Sequence, residues 1–211
     1  MNRVTTAGPG VLYGRDTELS ALIAALEQGS RGPGHLVIVT GAAGTGKSAL
    51  VRAATTHART DAMLYAEGTF DPRRGSFPYA VVMSCAATLA EQLLSLPATE
   101  VAQWRTRLLA ELGPLAGVTA DLAPEIAALL GPLPPRPDSP TSDEQLQAAI
   151  AALLRGLTSP EHPLVIFIDD LQWADNDTLD LLEVFTRHTT VDHAALILAF
   201  RDDEISDDPA P

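Results

Sequence analysis

The segment Gly41–Ser48 constrains the fold of this chain more than any other feature of its sequence. It reads GAAGTGKS and fits the phosphate-loop pattern G-x-x-x-x-G-K-[ST]. The continuous apolar run Leu36–Val39 precedes it, as expected for a strand buried on both faces of a parallel sheet, and a helix is predicted from about Lys47 to Ala58. Because the pattern requires a buried strand before it and a helix after it, we interpret the segment as a P-loop.

A P-loop suits the binding of phosphate for several additive reasons. Its glycines let the backbone curl so that N–H groups point at an anion, and the following helix directs its positive end to the same place. Lys47 adds a mobile positive charge, and the hydroxyl of Ser48 is a ligand for Mg²⁺. The predicted contacts with a nucleotide are Gly41, Ala42, Ala43, Gly44, Thr45, Gly46, Lys47, Ser48 and Ala49.

The charge composition points to the same place. The chain has 27 acidic and 14 basic residues, and among the basic residues Lys47 alone is a lysine. A high-GC coding bias explains the arginines, but a planar guanidinium does not replace a compact ammonium among phosphate oxygens. The net charge of −13 excludes non-specific binding to nucleic acid and attraction to anionic membranes for this chain alone.

Two adjacent carboxylates form the predicted second half of the site. Leu164–Ile168 is an apolar run typical of a buried strand, and Asp169 and Asp170 follow it directly. Ligands bind at the carboxyl ends of parallel strands, and both carboxylates face one ligand only if the chain turns there. We predict that Asp169 and Ser48 hold Mg²⁺ and that Asp170 orients and activates the attacking water. The alternative is a solvated pair that ends a strand.

Arg201 is the third candidate catalytic residue, beside Lys47 and Asp170. It follows the last predicted strand, 195–200, where its guanidinium can meet a γ-phosphate and so distinguish ATP from ADP. An exposed ion pair with the acidic residues behind it, within 202–208, would look the same in the sequence.

Predicted strands alternate with predicted helices along the chain. The strands are at 36–39, 63–66, 164–168 and 195–200, and helices begin near 16, 47, 78, 98, 121, 142 and 177. Ser142 and Gln145 form a capping-box pair at one of these helix starts. The alternation predicts an α/β fold, a three-layer P-loop NTPase with a mainly parallel sheet flanked by helices.

The chain is expected to hold one core domain. Residues 1–11 are interpreted as a flexible lead-in, 12–205 as the nucleotide-binding core, and 206–211 as an acidic tail at the edge of a truncated protein. Within the core, 131–141 are predicted to be a surface loop because the first ten of these residues include five prolines.

Two other side chains are interpreted as structural. The single cysteine, Cys85, lies in an apolar run and is predicted to be a small buried hydrophobe rather than a nucleophile. Trp173 is predicted to be a packing anchor under the turn that follows Asp170. No segment approaches the roughly 18 apolar residues of a membrane span, so a cytoplasmic location is expected.

Four stretches resemble, in order, the ATPase domain of the STAND class of AAA-related P-loop NTPases. They are Leu12–Asp16, the P-loop, Phe167–Asp175 and Ala199–Glu204, and they extend over residues 12–204. Within this class the chain is similar to the large ATP-binding regulators of the LuxR type (the LAL family), which are bacterial transcription activators. The resemblance implies that Tyr13, Gly14 and Arg15 pack near the adenine and ribose.

The resemblance also implies a function. ATP or ADP and Mg²⁺ would be the ligands, and a weak Mg²⁺-dependent ATPase would act as a switch in the N-terminal part of a longer transcriptional regulator. Further domains of the same polypeptide, including a C-terminal helix-turn-helix, would contact DNA, and ATP would favour self-association. Asp170 stands where many hydrolysing relatives have glutamate, which leaves the rate open.

Two alternative functions fit the same motifs. The first is an interaction module of a multidomain signalling protein that binds ADP or ATP without hydrolysis. The second is a small P-loop kinase, which is less favoured because the Asp169–Trp173 element is atypical of one and no acceptor-binding or arginine-rich lid segment is evident.

Overall fold

The computed structural model describes residues 14–70, 79–135, 140–180, 182 and 191–202. Its strands are β1 (His35–Thr40), β2 (Leu64–Thr69), β3 (Leu164–Asp169) and β4 (Ala194–Phe200). Its helices are α1 (Asp16–Arg31), α2 (Lys47–Ala58), α3 (Ala80–Leu94), α4 (Ala98–Leu112), α5 (Ala116–Ala120), α6 (Pro124–Leu130) and α7 (Asp143–Leu157). Short 3₁₀ turns lie at Gly113–Leu115 and Leu171–Trp173.

The described strands form one parallel sheet in the order β1-β4-β3-β2. At one edge of the sheet, Thr40 of β1 pairs with Phe200 of β4, and Thr69 of β2 pairs with Asp169 of β3. The carboxyl ends of all these strands therefore meet at the same edge. The P-loop follows β1 there, and the residues after β3 and β4 reach the same place.

Helices cover both faces of the sheet, which confirms the predicted three-layer α/β fold. Helices α1 and α2 pack on one face, where Phe167 of β3 and Ile197 of β4 are fully buried. Helices α3 to α7 form a larger core on the other face, in which Leu108 and Leu129 are fully buried. The sheet is thus held between two apolar layers, and its carboxyl edge is left for polar side chains.

Strand β1 is less buried than its apolar sequence predicts. Val37 and Val39 pack on the core of α1 and α2, but Leu36 and Ile38 on the opposite face are 43% and 57% exposed. The prediction of a strand buried on both faces is therefore wrong. Because β1 lies at the end of the described sheet, the helices described on that face do not cover these two side chains.

The helix predicted near 121–130 is α6, which starts three residues later at Pro124, and the short helix α5, Ala116–Ala120, precedes it without having been predicted. Residues 121–123 separate them because Pro124 starts α6 and has no N–H with which to continue a preceding helix. The capping box is confirmed, since the backbone N–H of Gln145 donates to Ser142 Oγ over 3.2 Å at the start of α7.

Other predicted segments are described only in part. Residues 176–180 are helical, as predicted near 177, but the predicted end of that helix at 188 lies outside the described residues. The predicted lead-in 1–11 and tail 206–211 also lie outside them. Among the helices that the structure describes, none combines the length and the apolar character needed to cross a membrane.

Candidate functional site

The P-loop connects the end of β1 at Thr40 to the start of α2 at Lys47. Gly44 and Gly46 have φ angles of 73° and 82°, a left-handed backbone that side chains with a Cβ rarely adopt. The Thr45 hydroxyl donates to the carbonyl oxygen of Ala42 over 2.9 Å and closes the loop. The glycine spacing therefore reflects the backbone shape that the loop needs.

Lys47, the single lysine of the chain, lies within this loop. Its Nζ donates to the carbonyl oxygens of Gly41, at 2.5 Å, and of Ala42, at 3.1 Å, and the residue is 8% exposed. A buried ammonium held by neutral carbonyls alone is poorly compensated compared with one that meets an anion. The loop therefore holds a positive charge that phosphate oxygens can satisfy.

Ser48 and Asp169, the two predicted magnesium ligands, are in direct contact. The hydroxyl of Ser48 donates to Asp169 Oδ2, and the backbone N–H of Asp170 donates to Oδ1 over 2.9 Å. Asp169 ends β3 and is 7% exposed. A hydroxyl and a carboxylate that converge beside a phosphate loop are the oxygen ligands that Mg²⁺ takes in such sites, so these residues fit the ion.

Asp170 lies where the chain turns away from β3. Its φ of 55° is left-handed, and the 3₁₀ turn Leu171–Trp173 begins directly after it. Its Oδ1 accepts a hydrogen bond of 3.0 Å from Gln172 Nε2 and lies 3.5 Å from Nε of Arg201. The turn that the two adjacent carboxylates require is therefore present.

Arg201 joins the end of β4 to the turn after β3. Its guanidinium pairs with Asp170, and its backbone N–H donates to Gln172 Oε1 over 3.3 Å. Of the acidic run 202–208, residues 203–208 lie outside the described residues. Gln172 is not among the site residues predicted from the sequence, although its amide, two residues after Asp170, offers both a donor and an acceptor.

The residues implied to lie near adenine are placed in part. Arg15, just before α1, donates from Nη2 to the carbonyl oxygen of Thr45 over 3.0 Å, so it lies against the P-loop. Gly14 precedes it with a φ of 69°, and Tyr13 lies outside the described residues. Ala49 is exposed in the first turn of α2. The adenine contact of Tyr13, Gly14 and Arg15 stays a prediction.

Of the two side chains predicted to be structural, Trp173 and Cys85, only Cys85 is placed as predicted. Trp173 is 44% exposed, so its prediction as a packing anchor is wrong: the 3₁₀ turn carries it on the surface of the carboxyl edge. Cys85 is buried in the larger core, as predicted. Burial, and then the negative charge of Glu67, raise the pKa of its thiol to about 12.

The chain is similar to several known proteins. The family model described as AAA ATPase domain matches residues 11–198. The chain is 30% identical over 179 residues to hybrid signal transduction histidine kinase G of Dictyostelium discoideum, which covers 82% of this chain and 5% of that protein's length. It is also similar to the crystal structure of Cdc6p from Pyrobaculum aerophilum, with 18% sequence identity and a TM-score of 0.42. The match covers 92% of this chain and 41% of the Cdc6p chain. The chain belongs to the AAA ATPase domain family.

Proposed function

We propose that this chain binds ATP and ADP with Mg²⁺, hydrolyses ATP slowly, and acts as the switch domain of a bacterial transcriptional regulator of the STAND class and LuxR type. The observation that carries the proposal is the hydrogen bond from Ser48 to Asp169. It brings the P-loop and the end of β3 together at one point, as a site for a nucleotide and its metal ion requires.

In this proposal the loop residues 41–49 hold the phosphates. Lys47 exchanges its two carbonyl partners for phosphate oxygens, and the N–H groups of the loop and of the first turn of α2 donate to the same anion. Ser48 and Asp169 hold Mg²⁺, which would neutralise charge on the phosphates. Tyr13, Gly14 and Arg15 contact the adenine and ribose, as the resemblance implies.

Hydrolysis is assigned to Asp170 and Arg201. Asp170 orients the attacking water and accepts its proton, and Arg201 binds the γ-phosphate. Arg201 pairs with Asp170 at 3.5 Å in this structure, so it has to change partner before it binds phosphate. That exchange, together with the short side chain of aspartate, supports a slow rate.

The regulatory part of the proposal rests on the resemblance and on charge. The curated relative is a signal transduction protein of which this chain matches 5%, a size ratio that fits a module within a larger polypeptide. A net charge of −13 disfavours contact with DNA by this chain, so other domains of the parent protein make it. Bound ATP favours self-association of the parent protein in the cytoplasm.

A second candidate is an interaction module that binds nucleotide without hydrolysis. The observation that favours it is the carboxylate of Asp170, which Gln172 and Arg201 both contact at Oδ1. A carboxylate that keeps both partners is a poor base for water. A small P-loop kinase is the third and least favoured function.

Titration of ATP and ADP in the presence of Mg²⁺, by calorimetry, tests the binding site. Lys47→Ala should weaken both affinities by about 10-fold to 100-fold because it removes a charge-assisted contact to phosphate. Arg59→Ala, which removes an exposed charge at the far end of α2, is the matched control and should bind as the wild type does. Equal binding by wild type and Lys47→Ala would overturn the P-loop assignment.

Phosphate release separates the switch from the module. Wild type should release phosphate from ATP, and Asp170→Asn should lower the rate by about 100-fold or more, the usual contribution of a general base. No release by wild type would favour the non-hydrolysing module. In the parent protein, Lys47→Ala should abolish activation of a reporter gene, and unchanged activation would contradict the regulatory role.

A further inference from the structure

We infer that Gln172 is a positioning residue for hydrolysis, because its side-chain amide ties the carboxylate of Asp170 to the main chain at the end of β4. The inference rests on the proposed function, since it requires that Asp170 acts on the attacking water. It assigns a role to a residue that belongs neither to the P-loop nor to the predicted catalytic set.

The contacts around Gln172 form a closed ring of three residues. Its Nε2 donates to Asp170 Oδ1 over 3.0 Å, and its Oε1 accepts from the backbone N–H of Arg201 over 3.3 Å. Nε of Arg201 lies 3.5 Å from the same Oδ1 and completes the ring. One amide therefore links the turn after β3 to the first residue after β4.

The two contacts to Asp170 Oδ1 differ in what a nucleotide would do to them. The guanidinium of Arg201 cannot stay on Asp170 once it binds a γ-phosphate, so that contact is lost in the proposed ATP state. The contact from Gln172 persists, because the Oε1 of the same amide is held by the backbone N–H of Arg201 and does not depend on the guanidinium. Gln172 is then the side chain that keeps the carboxylate of Asp170 oriented.

The side-chain chemistry of glutamine suits this role specifically. The position requires a donor toward the carboxylate of Asp170 and an acceptor toward the backbone N–H of Arg201, and the glutamine amide supplies both on one planar group. A glutamate would keep the acceptor but place a second negative charge beside Asp170. A methionine would keep the length and lose both hydrogen bonds.

Asp170 also depends on support from its surroundings. Its backbone is left-handed, with a φ of 55°, a conformation that aspartate tolerates at some cost. The backbone N–H of Trp173 donates to the Asp170 carbonyl oxygen over 3.0 Å and closes the turn locally. Gln172 adds the link from this turn to β4, which the local turn alone does not provide.

Steady-state hydrolysis and equilibrium nucleotide binding of Gln172→Met test the inference. We expect kcat to fall by about 10-fold to 100-fold, the effect of a small misplacement of a reacting group, while the dissociation constants for ATP and ADP change by less than about threefold. Gln172→Glu should lose at least as much activity. Gln103→Met, an exposed glutamine on α4, is the matched control and should hydrolyse ATP as the wild type does.

The double variant Gln172→Met/Asp170→Asn distinguishes positioning from general structure. If Gln172 acts through Asp170, the Gln172→Met substitution should not lower the rate of hydrolysis further in a protein that already carries Asp170→Asn. The inference would be overturned if Gln172→Met or Gln172→Glu hydrolysed ATP at the wild-type rate. It would also be overturned if the losses of rate were additive in the double variant, or if nucleotide affinity fell as much as kcat. No phosphate release by wild type would instead contradict the proposed hydrolysis itself.

Discussion

The hydroxyl of Ser48, at the start of α2, donates a hydrogen bond to the carboxylate of Asp169, which lies 121 positions later at the end of β3. The two residues meet because α2 begins and β3 ends at the same edge of the parallel sheet. Asp169 is 7% exposed, so this hydrogen bond satisfies a buried charge as well as joining the two halves of the site.

Ser48→Ala should therefore change both magnesium dependence and stability. We expect the gain in ATP affinity on adding Mg²⁺ to disappear, and the free energy of unfolding to fall by about 1 kcal/mol because Asp169 loses a donor. Ser48→Thr keeps the hydroxyl and should retain both properties. Titrations with Mg²⁺ and with a chelator, together with urea unfolding, measure the two effects. A persistent magnesium dependence in Ser48→Ala would contradict the assignment.

Arg201→Ala should lower the affinity for ATP by about 10-fold and leave that for ADP unchanged, because only ATP offers the γ-phosphate that the guanidinium would bind. Calorimetric titration with both nucleotides checks this. Arg155→Ala is the control, since it removes an arginine that is also ion-paired, with Glu111 at 2.8 Å, but on α7 and α4. An equal loss for ATP and ADP would argue against a γ-phosphate contact.

Features that local chemistry determines could be predicted from the sequence. The P-loop needs left-handed backbone at Gly44 and Gly46, so its glycines mark it directly. The helix start at Ser142 is marked by a donor and an acceptor three residues apart. The turn after Asp169 follows from the end of an apolar run, and so these elements lie within a residue or two of their predicted places.

Features that depend on strand order could not be predicted in the same way. The exposure of Leu36 and Ile38 follows from the position of β1 at the end of the described sheet, and no residue in β1 encodes that position. The ring of Asp170, Gln172 and Arg201 likewise requires β4 to lie beside β3. The sequence shows the chemistry of each member but not that they meet.

Gly68→Ala should destabilise the fold without touching the nucleotide site. A Cβ on Gly68 of β2 would lie 2.5 Å from Val81 Cγ1 and 3.0 Å from Cys85 Sγ on α3, so the Val81 side chain or the helix would have to shift. Such overpacking typically costs about 1–3 kcal/mol. Urea unfolding measures the loss. In Gly68→Ala/Val81→Ala the nearest clashing atom is gone, and the double variant should lose less stability than the sum of the single variants.

Glu67 should make stability depend on pH at the acid end. Burial alone would raise the pKa of its carboxyl, but hydrogen bonds from Arg52 and Tyr65 outweigh burial and lower it below 4.5. A carboxyl with a lowered pKa in the folded state stabilises the protein in full at neutral pH. That contribution is lost as pH falls below the unfolded value toward the folded one.

Wild type should therefore have a larger free energy of unfolding than Glu67→Gln. The difference should be largest near neutral pH and should shrink as pH falls below about 4.5. Urea unfolding of both proteins across this range measures it. Glu91→Gln, at an exposed position on α3, is the control for the removal of one negative charge from an acidic chain. A difference that stays constant with pH would show that Glu67 contributes by packing rather than by its charge, since only an ionised carboxylate pairs with Arg52.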